Sequence, residues 1–150
     1  TRSTKLMQTM EQSFRSDLHL TKQLLQILEQ EKQHVIDNDS DALMNLAEQK
    51  NQLITTIEQN KNSREHLLIQ SNIPLNDTAI RDLIKQQDNQ TQKKLLPLCD
   101  QLEDQVLRCY RLNTINGQLI FASLNNTRSL LNIFFNKAPT NTYGPDGELV

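Results

Sequence analysis

Apolar residues return at steps of three and four along most of the chain, so the pattern is helical nearly throughout. Over residues 5–36, Met7, Met10, Phe14, Leu18, Leu25, Leu28 and Ile36 keep to one side, with Gln, Lys and Glu opposite. Leu24 and Ile27 widen that stripe enough for two neighbours. Asp37-Asn38-Asp39-Ser40 then breaks the helix and supplies a cap for the next. So short a polar connection predicts antiparallel neighbours. The second pattern, residues 41–69, has a seam of Leu43, Leu46, Leu53, Ile54, Ile57, Leu67 and Leu68, interrupted by Lys50 and Arg64. A loop at 71–77 follows, in which Pro74 biases Ile73 out of the helical region and Asn76 or Asp77 can cap what comes next. Residues 78–87 read as a short helix with Ile80, Leu83 and Ile84 on its apolar face, and 88–92 are polar without a pattern.

The longest pattern covers residues 95–135. Its seam runs Leu95, Leu98, Leu102, Val106, Cys109, Leu112, Asn116, Leu119, Ser123, Leu130 and Phe134. Pro97 leaves two starts open: near Lys94 with the proline in the first turn, or earlier with a kink. With Leu119 set at zero, Leu112, Leu130 and Phe134 fall within roughly 60° of it. Ile120, Leu124, Leu131 and Phe135 fall on a second line roughly 100–160° round. A helix buried along one seam needs only the first line. The second is either covered by the chain's own first helix or a second copy, or it is a groove for an amphipathic partner helix. Asn116-Gly117 is a hairpin signal between strands, but here its flanks are helical. An interior glycine costs about 1 kcal/mol against alanine. It therefore predicts a close helix–helix crossing, with Asn116 satisfied by a neighbouring backbone.

Composition agrees with thin helices and narrows the chemistry. With 3 Gly, 4 Pro, no Trp and 4% aromatic residues, the chain is short of what a compact α/β enzyme uses. A formal net charge of −2 with mixed signs and no basic run argues against nucleic acid. Cys99 and Cys109, if on one helix, are roughly 15 Å apart. That is beyond the ~7 Å a disulfide allows, so both read as small core residues of a reduced, intracellular protein. No apolar run of membrane-spanning length and no signal-peptide pattern occurs. Glu31-Lys32-Gln33-His34 is the Glu-x-x-His pair of di-iron bundles, but Ser16 and Ser63 stand where His19 and His66 would need glutamates. Both residues therefore read as solvent-facing. No nucleophile motif or phosphate loop is present, and the carboxylates read as an outer solvated face. The expectation is no enzyme, no metal and no cofactor.

After Lys137 two of the three glycines and two of the four prolines appear, and Gly144-Pro145-Asp146-Gly147 fits a type I turn. Tyr143 beside it belongs either to an inert frayed end or to a segment that orders on a partner. The fold class is all-α: an elongated antiparallel helical bundle of three long helices plus one short helix over residues 1–137, then a flexible C-terminal tail, 138–150.

Leu112-Asn113-Thr114-Ile115-Asn116-Gly117-Gln118-Leu119-Ile120, the terminal Tyr143-Gly144-Pro145-Asp146-Gly147 and the element order together resemble FlgN-type flagellar chaperones. The opening helices match in style, with Glu29-Gln30-Glu31-Lys32 and then Asp41-Ala42-Leu43, Leu46, Lys50 and Leu53. The resemblance implies a cytoplasmic chaperone of the flagellar type III export system. Its partners would be the C-terminal helical segments of the hook–filament junction proteins, hook-associated proteins 1 and 3, and components of the export gate and ATPase complex. The family's Asn-Gly stretch matches Asn113, Asn116, Gly117, Leu119 and Ile120; joined to the second apolar line, it makes Asn116, Gly117, Ile120, Phe121, Leu124, Leu131 and Phe135 the expected partner-binding residues. Gate docking would fall to Tyr143, Gly144, Asp146 and Gly147. A self-associating helical scaffold without an export role is the alternative, and oligomeric state is left open.

Overall fold

The computed structural model describes residues 2–135, with side chains described for residues 3–120. Four helices follow one another: α1 (Arg2–Ile36), α2 (Ser40–Gln70), α3 (Asp77–Lys85) and α4 (Asn89–Phe135). No strand occurs among the described residues.

The stops and starts are local chemistry. Asn38 and Asn72 adopt left-handed backbone angles, φ 59° and 57°. Each sits just past a helix end, where asparagine tolerates that conformation better than most side chains. Around them Asp39 N–H donates to His34 O (3.0 Å) and Asn38 N–H to Val35 O (3.2 Å). Ile73 N–H donates to Leu68 O (2.9 Å) and Asn72 N–H to Ile69 O (3.1 Å) in the same way. Both are Schellman closures of a helix C-terminus. The Asp39 carboxylate then accepts from Ala42 N–H, and Asn76 Oδ1 accepts from Ala79 N–H, capping α2 and α3.

Of the two starts left open for α4, the structure takes the earlier: Asp88 Oδ1 accepts from Thr91 N–H at 2.7 Å, and the helix runs from Asn89 through the polar stretch. That hydrogen bond, with Thr91's hydroxyl, holds the Asp88 carboxyl below its usual range. Pro97 therefore lies inside the helix, past the first turn.

Direction and register follow from the cross-helix contacts. Asp17 meets Arg64 and Glu31 meets Lys50, so α2 runs antiparallel to α1. Cys109 reaches Thr21 and Asn116 reaches Leu28, both 88 residues apart in sequence, so α4 runs parallel to α1 in a fixed register. Both α2 and α4 pack on α1 and scarcely touch one another, while α3 lies on α4. Thus α1 is the spine.

The main core sits at one end, where all four helices converge: Met7, Met10 and Phe14 from α1, Leu68 from α2, Ile84 from α3, and Leu95, Leu98 and Cys99 from α4. Ile80 and Leu83 pack against it as their spacing predicts. Further along, Ile27, Leu28, Leu46 and Cys109 are buried together with polar Thr21, Glu31 and Asn116. Two seam positions do not behave as expected: Ile36 is exposed at the tip of α1, and Val106 turns partly outward.

Candidate partner-binding face

The two charges that interrupt the α2 seam explain themselves in three dimensions. The Arg64 guanidinium bonds Asp17 Oδ2 at 2.6 Å and Ser13 Oγ at 2.9 Å, and lies over the Phe14 ring. Asn60 Nδ2 donates to Asp17 Oδ1 at 2.6 Å and to Ser13 O at 3.1 Å. Lys50 Nζ donates to Asn113 Oδ1 at 2.7 Å and approaches Glu31 Oε2 at 3.5 Å. Asp17 and Glu31 are thus buried partners rather than members of an outer face, which corrects the sequence reading of both. Burial without these partners would be costly, so each carboxylate fixes where α2 can sit on α1.

Asn116 is 1% exposed. Its amide nitrogen donates to Leu28 O at 2.8 Å and Glu31 Oε1 at 2.9 Å, while Oδ1 has no hydrogen-bond partner. The expected backbone satisfaction is present, with a carboxylate added. Asn116 therefore faces α1 and is not available to a partner. Gly117 corrects the other half of that expectation. No described atom lies within 4 Å of where its Cβ would stand, so it does not mark a tight crossing. Glu31 and His34 each have another partner. Glu31 is engaged as above, His34 Nδ1 lies 4.0 Å from Asp39, and among the described residues no group of three His, Cys, Asp or Glu is placed to hold a metal ion.

An apolar cleft of about 360 Å³ lies between α2 and α4, closed at one end by α3. Phe14, Leu68, Ile80, Cys99 and Leu102 line it, with Leu75, Val106 and Leu107 at its edges. Val106 is 48% exposed, and Tyr110, one turn on, is 70% exposed. Arg81 clamps α3 beside the cleft. It bonds Asp77 (2.8 Å), Asp100 (2.7 Å) and Glu103 (3.0 Å), and the bonds to Asp100 and Asp77 push its ionisation further up. Cys99 and Cys109 are both free and buried, and burial raises both thiols above their ordinary range.

At the far end of described α4, Ile120 is 40% exposed. The other residues expected to bind a partner, Phe121, Leu124, Leu131 and Phe135, have side chains outside the described set. Tyr143, Gly144, Asp146 and Gly147 lie outside the described residues altogether. The cleft edge at Val106, Leu107 and Tyr110 went unnoticed in the sequence. Its signal was there: Val106 lies roughly 80° round α4 from Asn116, on the flank of the seam.

The geometry is that of an all-α helical bundle with an apolar cleft and buried polar pins. Comparison with known proteins agrees. The FlgN protein family model matches residues 6–150, and the chain belongs to that family of flagellar export chaperones. The fold is similar to the crystal structure of a protein assigned as flagella synthesis protein FlgN from Pseudomonas aeruginosa. That match has 26% identity and a TM-score of 0.67, and covers 83% of this chain and 94% of that one. A comparison with curated proteins gives no match. No helix among the described residues is long and apolar enough to cross a membrane.

Proposed function

We propose that the chain is a cytoplasmic export chaperone for the C-terminal helical segments of hook-associated proteins 1 and 3. In this reading it keeps them from assembling early and delivers them to the type III export gate. The partner helix lies along late α4, on Gly117, Ile120, Phe121, Leu124, Leu131 and Phe135. Asn116 acts from beneath, holding α4 in register on α1. Tyr143, Gly144, Asp146 and Gly147 serve gate docking.

The observation that carries this reading is the mismatch in helix length. The 88-residue offset sets Ile36, the last residue of α1, against position 124, while α4 continues to Phe135. Beyond that point α1 has ended, and an apolar line that no element of its own chain covers would mark a binding surface. Ile120, already part-exposed where α1 still runs, begins the line.

The test is co-purification with the last ~40–60 residues of either junction protein, the length of a helix pair. Wild type is expected to retain one segment per chain. Leu124→Asp with Leu131→Asp is expected to lose it while circular dichroism stays unchanged. A stable oligomer by light scattering that ignores both segments would instead make the chain a self-associating scaffold.

A further inference from the structure

We infer that the partner track does not stop at late α4 but runs back into the cleft between α2 and α4, where it seats an amphipathic helix with Lys or Arg beside its apolar stripe. This rests on the chaperone reading and adds a second, separable contact to it.

Helix geometry makes the track continuous. With Val106 at zero, Leu102, Tyr110, Asn113, Gly117, Ile120 and Leu124 all fall within about 40° of it. From Leu102 to Ile120 this row is about 27 Å long. Its described members are unfilled on the outer side: Val106, Tyr110 and Ile120 are exposed, and Gly117 has open space where a side chain would project. Asn113, bonded to Lys50, is a polar step midway. At one end the row drops into the apolar cavity over Phe14, Leu68 and Cys99.

Charge selects the occupant. Three mostly exposed carboxylates, Asp77, Asp100 and Glu103, converge at the α3 end on the single guanidinium of Arg81, leaving a local surplus of two negative charges. Opposite, Lys61 and Glu65 pair and cancel, as Asp104 and Arg108 do further along α4. An apolar floor with an acidic rim favours a helix whose apolar stripe is flanked by cations at that end. A second copy of this chain would bring the same acidic rim against itself.

The experiment titrates the full chain with the terminal ~60 residues of each junction protein, a helix-pair length, at low and high salt. Val106→Asp and Tyr110→Ala change exposed side chains and should leave circular dichroism unchanged. Val106→Asp is expected to weaken binding about tenfold or more, because the complex would bury an unpaired charge. Glu103→Lys is expected to weaken binding at low salt and to flatten its salt dependence. If Val106→Asp and Tyr110→Ala bind like wild type while the Leu124→Asp, Leu131→Asp variant does not, the cleft is no part of the track and the chaperone reading stands alone. If Val106→Asp abolishes a dimer without touching segment binding, the cleft seats a second copy and the inference is overturned. If wild type binds neither segment, the chaperone reading fails, and this one with it.

Discussion

Gly117→Ala separates folding from binding at one position. In a helix interior the methyl should stabilise by about 1 kcal/mol, the difference in helix propensity. Packing neither adds to this nor subtracts from it, because no described atom lies within 4 Å of the new Cβ. For a chain of this size that corresponds to a melting temperature raised by about 2–4 °C. The urea midpoint should move up without a change in slope. Binding should move the other way. If a partner helix passes close over Gly117, a methyl there forces the two axes apart, and overpacking costs about 1–3 kcal/mol, roughly a 5- to 150-fold loss of affinity. The assay is thermal and urea unfolding by circular dichroism beside titration with a junction-protein segment. An alanine variant that is less stable than wild type would mean the glycine sits under a neighbour after all. One that is more stable and binds equally well would remove Gly117 from the partner track.

Arg64→Ala should cost about 3 kcal/mol in urea unfolding, since the buried Asp17 carboxylate keeps only Asn60. Adding Asp17→Ala should restore part of that loss; strict additivity would deny the pair its coupling. Asn116→Ala should cost about 2 kcal/mol, leaving Glu31 with Lys50 alone at 3.5 Å. Hydrogen exchange should quicken around residues 109–120 before it does near Cys99, and uniform quickening would refute a local pin. Both buried thiols should resist alkylation at neutral pH until the chain unfolds. Their ionisation is raised by burial above the ordinary value of 9.0, so above that pH the unfolded chain binds fewer protons than the folded one. Stability should therefore fall as pH rises through that range, and more steeply in wild type than in a Cys99→Ala, Cys109→Ala variant.

Much of the helical layout was legible because Leu, Ile and Met at steps of three and four leave little else to build. What the pattern hid were polar residues acting across helices. Lys50 and Arg64 interrupt an apolar seam, and nothing local says that Glu31 and Asp17 wait opposite; the pairing exists only once α2 turns back on α1. Asn38 and Asn72 did carry a readable signal, since asparagine just past a helix end favours the left-handed stop. Asp88 with Thr91 three residues on was another, masked by Pro97 as the apparent marker of the helix start. Gly117 misled for a physical reason. An interior glycine announces that a side chain is unwelcome, without saying whether the intruder belongs to the same chain or to another.

The placement of α1 bears on that last distinction. A helix flanked on two sides by α2 and α4 holds both, but two flanking helices that barely meet cannot close a bundle. Closed four-helix packing needs a fourth element along the remaining slot. Here α3 borders that slot for nine residues at the core end, and its apolar face and the Arg81 clamp hold it there. Past α3 the slot is spanned by the Lys50–Asn113 hydrogen bond and bordered by Tyr110, Gly117 and Ile120. A chain that only needed to fold would gain by lengthening α3 into that space. Leaving it open keeps apolar surface in water, a standing cost that a visiting helix would relieve. Of the polar pins, Arg64–Asp17 holds α2 to α1, Asn116 holds α4 to α1, and Lys50 ties α2 to both neighbours through Glu31 and Asn113.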